Sequence, residues 1–329
     1  MNSLKQDISF LDIDSQRSFS NLIRASKSRE LTIVCGAGVS VSAGLPTWTK
    51  YLTTIVSEFL LTWKDIEDYN PKYKDVAPRS LSINMMREYY EVKFPDFSIP
   101  DNFINEDPLI LAQLIKNCIE PANWRYLLRK ALYGEDALNF SSDLINNIFQ
   151  IVRDNAKATS ILTYNYDDLI ELFFKTKGFK TSSIVGENYF TTHKYFPICH
   201  LHGILPYKGG LKSKVYLSEE DYLTDIIQPH SWYNQLHTTK LTSTCCLFIG
   251  LSFYDPSLKR KLAIHRLSCD SYHYAFLTHS ETEYEKRKFL LLKNELLRLN
   301  VRVIKYPYDP NHKELNKVLS LLNRYLNIA

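Results

Sequence analysis

The feature that most constrains this chain is a series of short apolar runs, several of them stopping at glycine or a small polar residue, most of them separated by stretches of helical period. The runs are Leu31–Cys35, Ser160–Thr163, Ser182–Val185, Phe196–Leu201, Val215–Leu217, Cys245–Leu251, Tyr274–Leu277 and Val301–Ile304. Runs this short and β-branched suit strands buried on both faces, and a helix between consecutive strands makes them parallel. The alternation predicts an α/β protein with a doubly wound, mostly parallel sheet. Helices are expected over about 15–28, over Trp48–Trp63 (apolar at Tyr51, Leu52, Ile55, Val56, Phe59 and Leu60) and over Leu169–Phe174. Two more close the chain, one opened by a capping box of Ser280 and Glu283, the other running from Glu314 to Leu326.

Between 65 and 137 the strand signals vanish, Tyr, Asn, Pro and Lys increase, and helical stretches stand near 80–93, 107–118 and 121–132. This predicts a helical insertion, 65–137, in a domain formed by 1–64 and 138–329, and 329 residues suffice for both. A 45% hydrophobic content rich in Tyr and Phe excludes a disordered chain. The net charge of +4 makes no nucleic-acid footprint, and Lys259-Arg260-Lys261 reads better as a solvated helix face. Six cysteines without a C-x-x-C pair read as reduced thiols and remove any ordinary cysteine zinc ribbon. No apolar run approaches the ~20 residues that cross a bilayer, and the first segment lacks a secretory pattern, so a cytoplasmic protein without membrane contact is expected.

Gly36-Ala37-Gly38 directly follows the first run, and glycine there lets backbone approach an anion, as in Rossmann-like nucleotide-binding units. A plain strand-to-helix turn is the alternative. In G-x-G-x-x-G the third glycine would fall at Val41, and no Gly-Lys-Ser or Gly-Lys-Thr follows, so neither a standard dehydrogenase nor a Walker loop fits. Thr163-Tyr164-Asn165-Tyr166-Asp167-Asp168 puts Asn165 and Asp167 at a strand's carboxyl end, where open α/β sheets bind ligands, although Asp167 or Asp168 can also merely cap the next helix. His200-Leu201-His202-Gly203 brings a base for neutral pH to a second strand end. His200, His202 and His193 together could hold a metal, but a lone H-x-H is more often structural. Gly250-Leu251-Ser252-Phe253-Tyr254-Asp255-Pro256 closes a third strand; it suits a ribose or adenine contact, or a helix capped by Asp255, and it lacks the last glycine of G-x-S-x-G.

In this order these motifs resemble the sirtuin superfamily: Gly36–Ser40 with Ser42–Pro46, then Thr163–Asp167, His202-Gly203 and Gly250–Ser252. More narrowly the chain resembles the bacterial sirtuin-like NAD-hydrolase branch associated with antiphage defence. That likeness rests on Leu45-Pro46-Thr47-Trp48, Asn165-Tyr166-Asp167, Leu201-His202-Gly203, the acidic stretch Leu217–Tyr222, and Gly250–Pro256. The four zinc cysteines of the deacetylating sirtuins are missing, and Thr47-Trp48-Thr49 replaces their Asp-Phe-Arg.

The resemblance implies NAD as substrate, no zinc, and cleavage of the nicotinamide–ribose bond to nicotinamide and ADP-ribose, which would deplete cellular NAD in defence. It implies that Gly36, Ala37 and Gly38 cradle phosphate, Ser40 adds a hydroxyl contact, and Asp167 binds the carboxamide. Asn165 and His202 would be catalytic, Asn165 orienting water or the ribose hydroxyls and His202 accepting a proton, while Gly250, Ser252 and Asp255 would line the adenosine side. Because a free NADase would drain its own cell, a homo-oligomer working with a separate partner protein encoded nearby is expected. The competing expectations are an NAD- or ADP-ribose-binding module without turnover, and a deacylase or ADP-ribosyltransferase.

Overall fold

A computed structural model describes residues 2–67, 108–118, 121–134, 142–186, 194–208, 215–218, 220–221, 230–309 and 313–327. Its strands are β1 (Leu31–Cys35), β2 (Ala158–Thr163), β3 (Thr181–Ile184), β4 (Phe196–His200), β5 (Cys245–Ile249), β6 (His273–Leu277) and β7 (Val301–Lys305). They form one seven-stranded sheet in the order β3-β4-β2-β1-β5-β6-β7, and every pairing is parallel. In register, Val34 of β1 lies between Leu162 of β2 and Phe248 of β5. All residues of β1, β5 and β6 are buried, as strands covered by helices on both faces must be. Cys35, Cys199, Cys245 and Cys246 lie in these strands as buried free thiols.

The helices are α1 (Asn2–Asp7), α2 (Ile13–Ser28), α3 (Ala37–Val41), α4 (Trp48–Glu67), α5 (Pro108–Cys118), α6 (Pro121–Tyr133), α7 (Asp143–Asp154), α8 (Leu169–Thr176), α9 (Trp232–Ser243), α10 (Pro256–Ser268), α11 (Glu283–Arg298) and α12 (Lys313–Asn327). No helix among the described residues is long and apolar enough to cross a membrane. The α7 helix turns Leu144, Ile145, Ile148 and Ile151 inward and packs on α12, where Ser320 donates to Asn147 Oδ1 at 2.9 Å. Ser142 caps α7 through the Ile145 N–H, and Asp12 caps α2 through the Ser15 N–H.

Three local expectations are corrected. Residues 215–217 form no strand, because the Leu217 and Ser218 N–H groups donate to the Asp221 carboxylate and so are spent locally. Thr282, not Ser280, caps α11: its hydroxyl accepts from the Glu285 N–H, and Glu283, already inside the first turn, pairs with Arg287. The glycine turn leads into the five-residue α3 and reaches the long α4 only after Leu45-Pro46.

Contacts divide the chain into two compact units. The first, Met1–Leu45, Leu138–Val215 and Asp225–Ala329, contains the sheet. The second is Pro46–Ala137 with Tyr216–Thr224, so the division falls at Leu45/Pro46 where the composition shift suggests 64/65. The reason is that α4 is partnered within the second unit: the Tyr51 hydroxyl donates to Leu128 O of α6 at 3.2 Å, and Glu58 pairs with Lys130 of α6. Lys116 of α5 pairs with Asp221 at 3.2 Å in the same unit. The helix expected near 80–93 lies outside the described residues.

Candidate active site

The chain leaves β1 toward β2 on one side of the sheet and leaves β5 toward β6 on the other, and β1 and β5 are neighbours. Such a reversal opens a crevice at the carboxyl ends of the two strands, the usual ligand position in open α/β sheets. The residues singled out from the sequence lie on the loops after β1, β2, β4 and β5, all in the first unit.

At the reversal itself, glycines allow two backbones to interlock. The Gly36 N–H donates to Ile249 O and the Gly38 N–H to Gly250 O, both at 3.0 Å. A Cβ on Gly36 would stand 2.6 Å from Gly250 O, one on Gly38 2.9 Å from Gly250 Cα, and one on Gly250 2.7 Å from Val39 N. Gly250 also has φ +70°, in the left-handed region. These glycines are therefore required first by each other. Of the expected phosphate cradle, only the exposed Ala37 keeps an N–H outside this packing, at the first position of α3, where no intrahelical acceptor exists.

Next to the glycines lies a buried polar chain. Asn165 Nδ2 donates to Gly36 O at 3.0 Å and to Ser40 Oγ at 2.8 Å; Ser40 Oγ donates to Asp167 Oδ2 at 2.6 Å. Asp167 Oδ1 accepts from the Leu169 N–H at 3.2 Å, so this carboxylate also serves the first turn of α8, while Asp168 accepts from the Tyr207 N–H. Burial pushes the Asp167 carboxyl up to about 6, although the Ser40 and Leu169 hydrogen bonds pull the other way. Two consequences follow from donor arithmetic. Both Nδ2 hydrogens of Asn165 are spent and no described residue donates to its Oδ1, which is left as an acceptor for a ligand. The Ser40 proton is committed to Asp167, so Ser40 links Asn165 to Asp167.

His202 follows β4, with Nε2 3.5 Å from Asp255 Oδ2. Its ring meets that of Tyr164 edge-on at 5.0 Å, and the Tyr164 hydroxyl reaches His237 Nε2 at 3.1 Å. Gly203, at φ +84°, turns the chain immediately after it. Asp255 Oδ1 caps α10 through the Ser257 and Leu258 N–H groups, at 2.7 and 3.2 Å, so one carboxylate holds the helix start and faces the imidazole. Ser252 stands exposed on the loop between Gly250 and Asp255. Asn165, Ser40, Asp167 and the glycine loop thus share one network, while His202 and Asp255 form a second contact on the loops after β4 and β5.

His200 takes a course of its own. It ends β4 fully buried, with Nε2 2.7 Å from Glu171 Oε1 and Nδ1 3.4 Å from Asn165 O, and Ser183 also donates to Glu171 Oε1 at 2.8 Å. Burial alone would lower its pKa, but the Glu171 charge and hydrogen bond outweigh it and the imidazole titrates above its ordinary value. His200 and His202 thus turn to different carboxylates, and His193 lies outside the described residues. Among the described residues no group of three or more His, Cys, Asp or Glu is placed to hold a metal ion. Sequence reasoning missed Glu171. Its only signal was position, one helical turn beyond Asp167, where α8 returns toward the strand ends.

A search of curated proteins found no match. Residues 159–302 match the family model described as SIR2-like domain. The match spans Asn165, Asp167, His202, Gly250, Ser252 and Asp255, and it begins after Gly36, Ala37, Gly38 and Ser40. SIR2-like domains are in general NAD-dependent enzymes, and the match supports placing this chain in the sirtuin-like superfamily, with an NAD-related function.

Proposed function

We propose that the protein hydrolyses NAD at the nicotinamide–ribose bond. The observation that carries this reading is the buried Asn165–Ser40–Asp167 chain at the carboxyl ends of β1 and β2, which leaves an amide oxygen uncommitted beside a buried carboxylate. The donor set fits the dinucleotide: an acceptor, a carboxylate, an imidazole and the Ala37 N–H answer to hydroxyl, carboxamide, water and phosphate. When bound, NAD supplies a glycosidic bond whose breakage builds positive charge on the ribose.

Asn165 Oδ1 orients a water or a ribose hydroxyl, because it is the one atom of that amide not already engaged. Asp167, ionised above pH about 6, holds the carboxamide and puts negative charge near the developing positive charge. His202 accepts the proton, and Asp255, 3.5 Å from its Nε2, favours the imidazolium so formed. Ala37 faces phosphate, Gly36 and Gly38 shape the turn that presents it, and Gly250 and Ser252 take the adenosine side. Depletion of NAD in antiphage defence, restrained by self-association and a partner protein encoded nearby, extends the same proposal.

A rival reading, NAD or ADP-ribose binding without turnover, is favoured by one observation: Asp167 and Asp255 each use a carboxylate oxygen to accept from an N–H group at a helix start. Chromatography of nicotinamide and ADP-ribose after incubation with NAD decides between them, with calorimetric titration of NAD in parallel. Binding with no nicotinamide release, with and without the neighbouring gene product, would establish the rival. Consumption of NAD only in the presence of an acyl-lysine peptide or a nucleic-acid acceptor would establish a transferase.

A further inference from the structure

We infer that His200 and Glu171 are positioning residues for the proposed reaction, a role that rests on Asn165 being catalytic: together they present an N–H to the Asn165 carbonyl and so keep its side-chain amide aimed. Asn165 is held at three other points, all of them neutral. Its Nδ2 donates to Gly36 O and to Ser40 Oγ, and its backbone N–H donates to Thr163 Oγ1 at 3.0 Å. The fourth point is its carbonyl. Among the described residues the donor that reaches this oxygen is His200 Nδ1, at 3.4 Å.

Proton counting makes His200 and Glu171 act as a unit. Both ring nitrogens of the fully buried His200 face oxygen, Nδ1 toward Asn165 O and Nε2 2.7 Å from Glu171 Oε1. A neutral imidazole has one N–H and can serve only one of them. Both contacts are made when the pair holds two protons, one on Nδ1 and one between Nε2 and Oε1. Glu171 suits this state. Its Oε1 accepts also from Ser183 of β3 at 2.8 Å, but its buried Oε2 has no hydrogen-bond partner among the described residues, so compensation of its charge falls mainly to the imidazole. When one proton leaves, the stronger, charge-assisted bond to Glu171 keeps the other. Nδ1 then turns a lone pair toward Asn165 O, and attraction becomes repulsion in a site that water does not screen. The surroundings favour the two-proton state: Glu171 of α8 and Asp167 after β2 are acidic, while burial pushes the Cys35 and Cys199 thiols up and keeps them uncharged, and Lys240 of α9 is felt at Cys199. The second proton is therefore held above the ordinary 6.5 and lost on the alkaline side.

Nicotinamide release by the full chain, followed against pH beside nitrogen-15 NMR of histidine-labelled protein, tests this. The parent's kcat is expected to fall as pH rises, with the midpoint at which His200 Nδ1 loses its proton in the NMR titration. His200→Asn puts a non-titrating amide donor near the Nδ1 position. It is expected to keep kcat within about tenfold of the parent and to abolish the alkaline fall. His200→Leu offers no donor and is expected to lose about 100-fold in kcat at every pH, as about an ångström of misplacement would cost, with KM within about twofold. Both variants remove the partner of Glu171, so the difference between them isolates the donor. An Nδ1 that loses its proton at or below pH 6.5, an alkaline fall that survives His200→Asn, or His200→Leu as fast as His200→Asn would each overturn the proposal. A parent that releases no nicotinamide, with and without the neighbouring gene product, would defeat the enzymatic reading and this role with it, whereas an active parent with an unimpaired His200→Leu variant would defeat this role alone.

Discussion

Substituting Gly250 by Ala tests whether the glycines of the β1 and β5 loops serve each other before they serve a ligand. The added Cβ would stand 2.7 Å from Val39 N and 3.0 Å from Gly38 C, both backbone atoms that no rotamer change can move aside. Overpacking of that kind costs about 1–3 kcal/mol. The left-handed φ of +70° adds about 1–2 kcal/mol for any residue with a Cβ. Gly178 is the internal control: its φ is +71°, but a Cβ there would meet nothing within 4 Å, so Gly178→Ala carries the conformational cost alone. At about 2–3 °C per kcal/mol for a chain of this size, Gly250→Ala should melt about 4–15 °C below the parent and clearly below Gly178→Ala. Scanning calorimetry of the three proteins reads this directly. Nicotinamide release should fall in Gly250→Ala alone, because its loop also carries Asp255. Equal melting temperatures for the two variants would refute the argument that the loops interlock.

Asn165→Ala and His202→Ala should each lower nicotinamide release by about 100-fold or more while circular dichroism stays native; parental rates in either would remove that residue from the catalytic assignment. For Asp167, burial raises the folded pKa from 3.8 to about 6, so its contribution to stability is complete below pH 3.8 and is lost as pH rises through about 6. The loss amounts to about 3 kcal/mol, and urea unfolding of Asp167→Asn between pH 4 and 7 should show a shallower pH slope than the parent; identical slopes would contradict the cause given. Glu171→Gln breaks a buried pair and should cost about 3 kcal/mol. Because His200 titrates above its ordinary 6.5, the pair's contribution is full below pH 6.5 and lost as pH rises through the elevated value. The Glu171→Gln deficit should therefore be larger at pH 6 than at pH 9, and a deficit independent of pH would point to packing alone.

The legible parts of this fold were those whose signal is local. Leu31–Cys35 and Cys245–Ile249 announce buried strands because each is apolar at every or nearly every position, and each stops where glycine ends the pleat. Val215–Leu217 carries the same kind of signal and makes no strand, because Asp221, four residues after Leu217, takes the N–H groups a neighbouring strand would need. The period of Trp48–Trp63 announces a helix truthfully but cannot say which body buries it. That is decided by Leu128 and Lys130, far along the chain on α6.

The same boundary runs through the site. Small polar residues at the carboxyl ends of apolar runs could be read directly, because each such cluster is a continuous stretch of chain. Which of them touch could not. Ser40 meets Asp167 across 127 residues, His200 chooses Glu171 across 29, and Gly250 closes on Gly38 only because β5 lies beside β1. Periodicity records how one segment divides between core and water, whereas the pairing of side chains depends on the strand order that the whole chain settles.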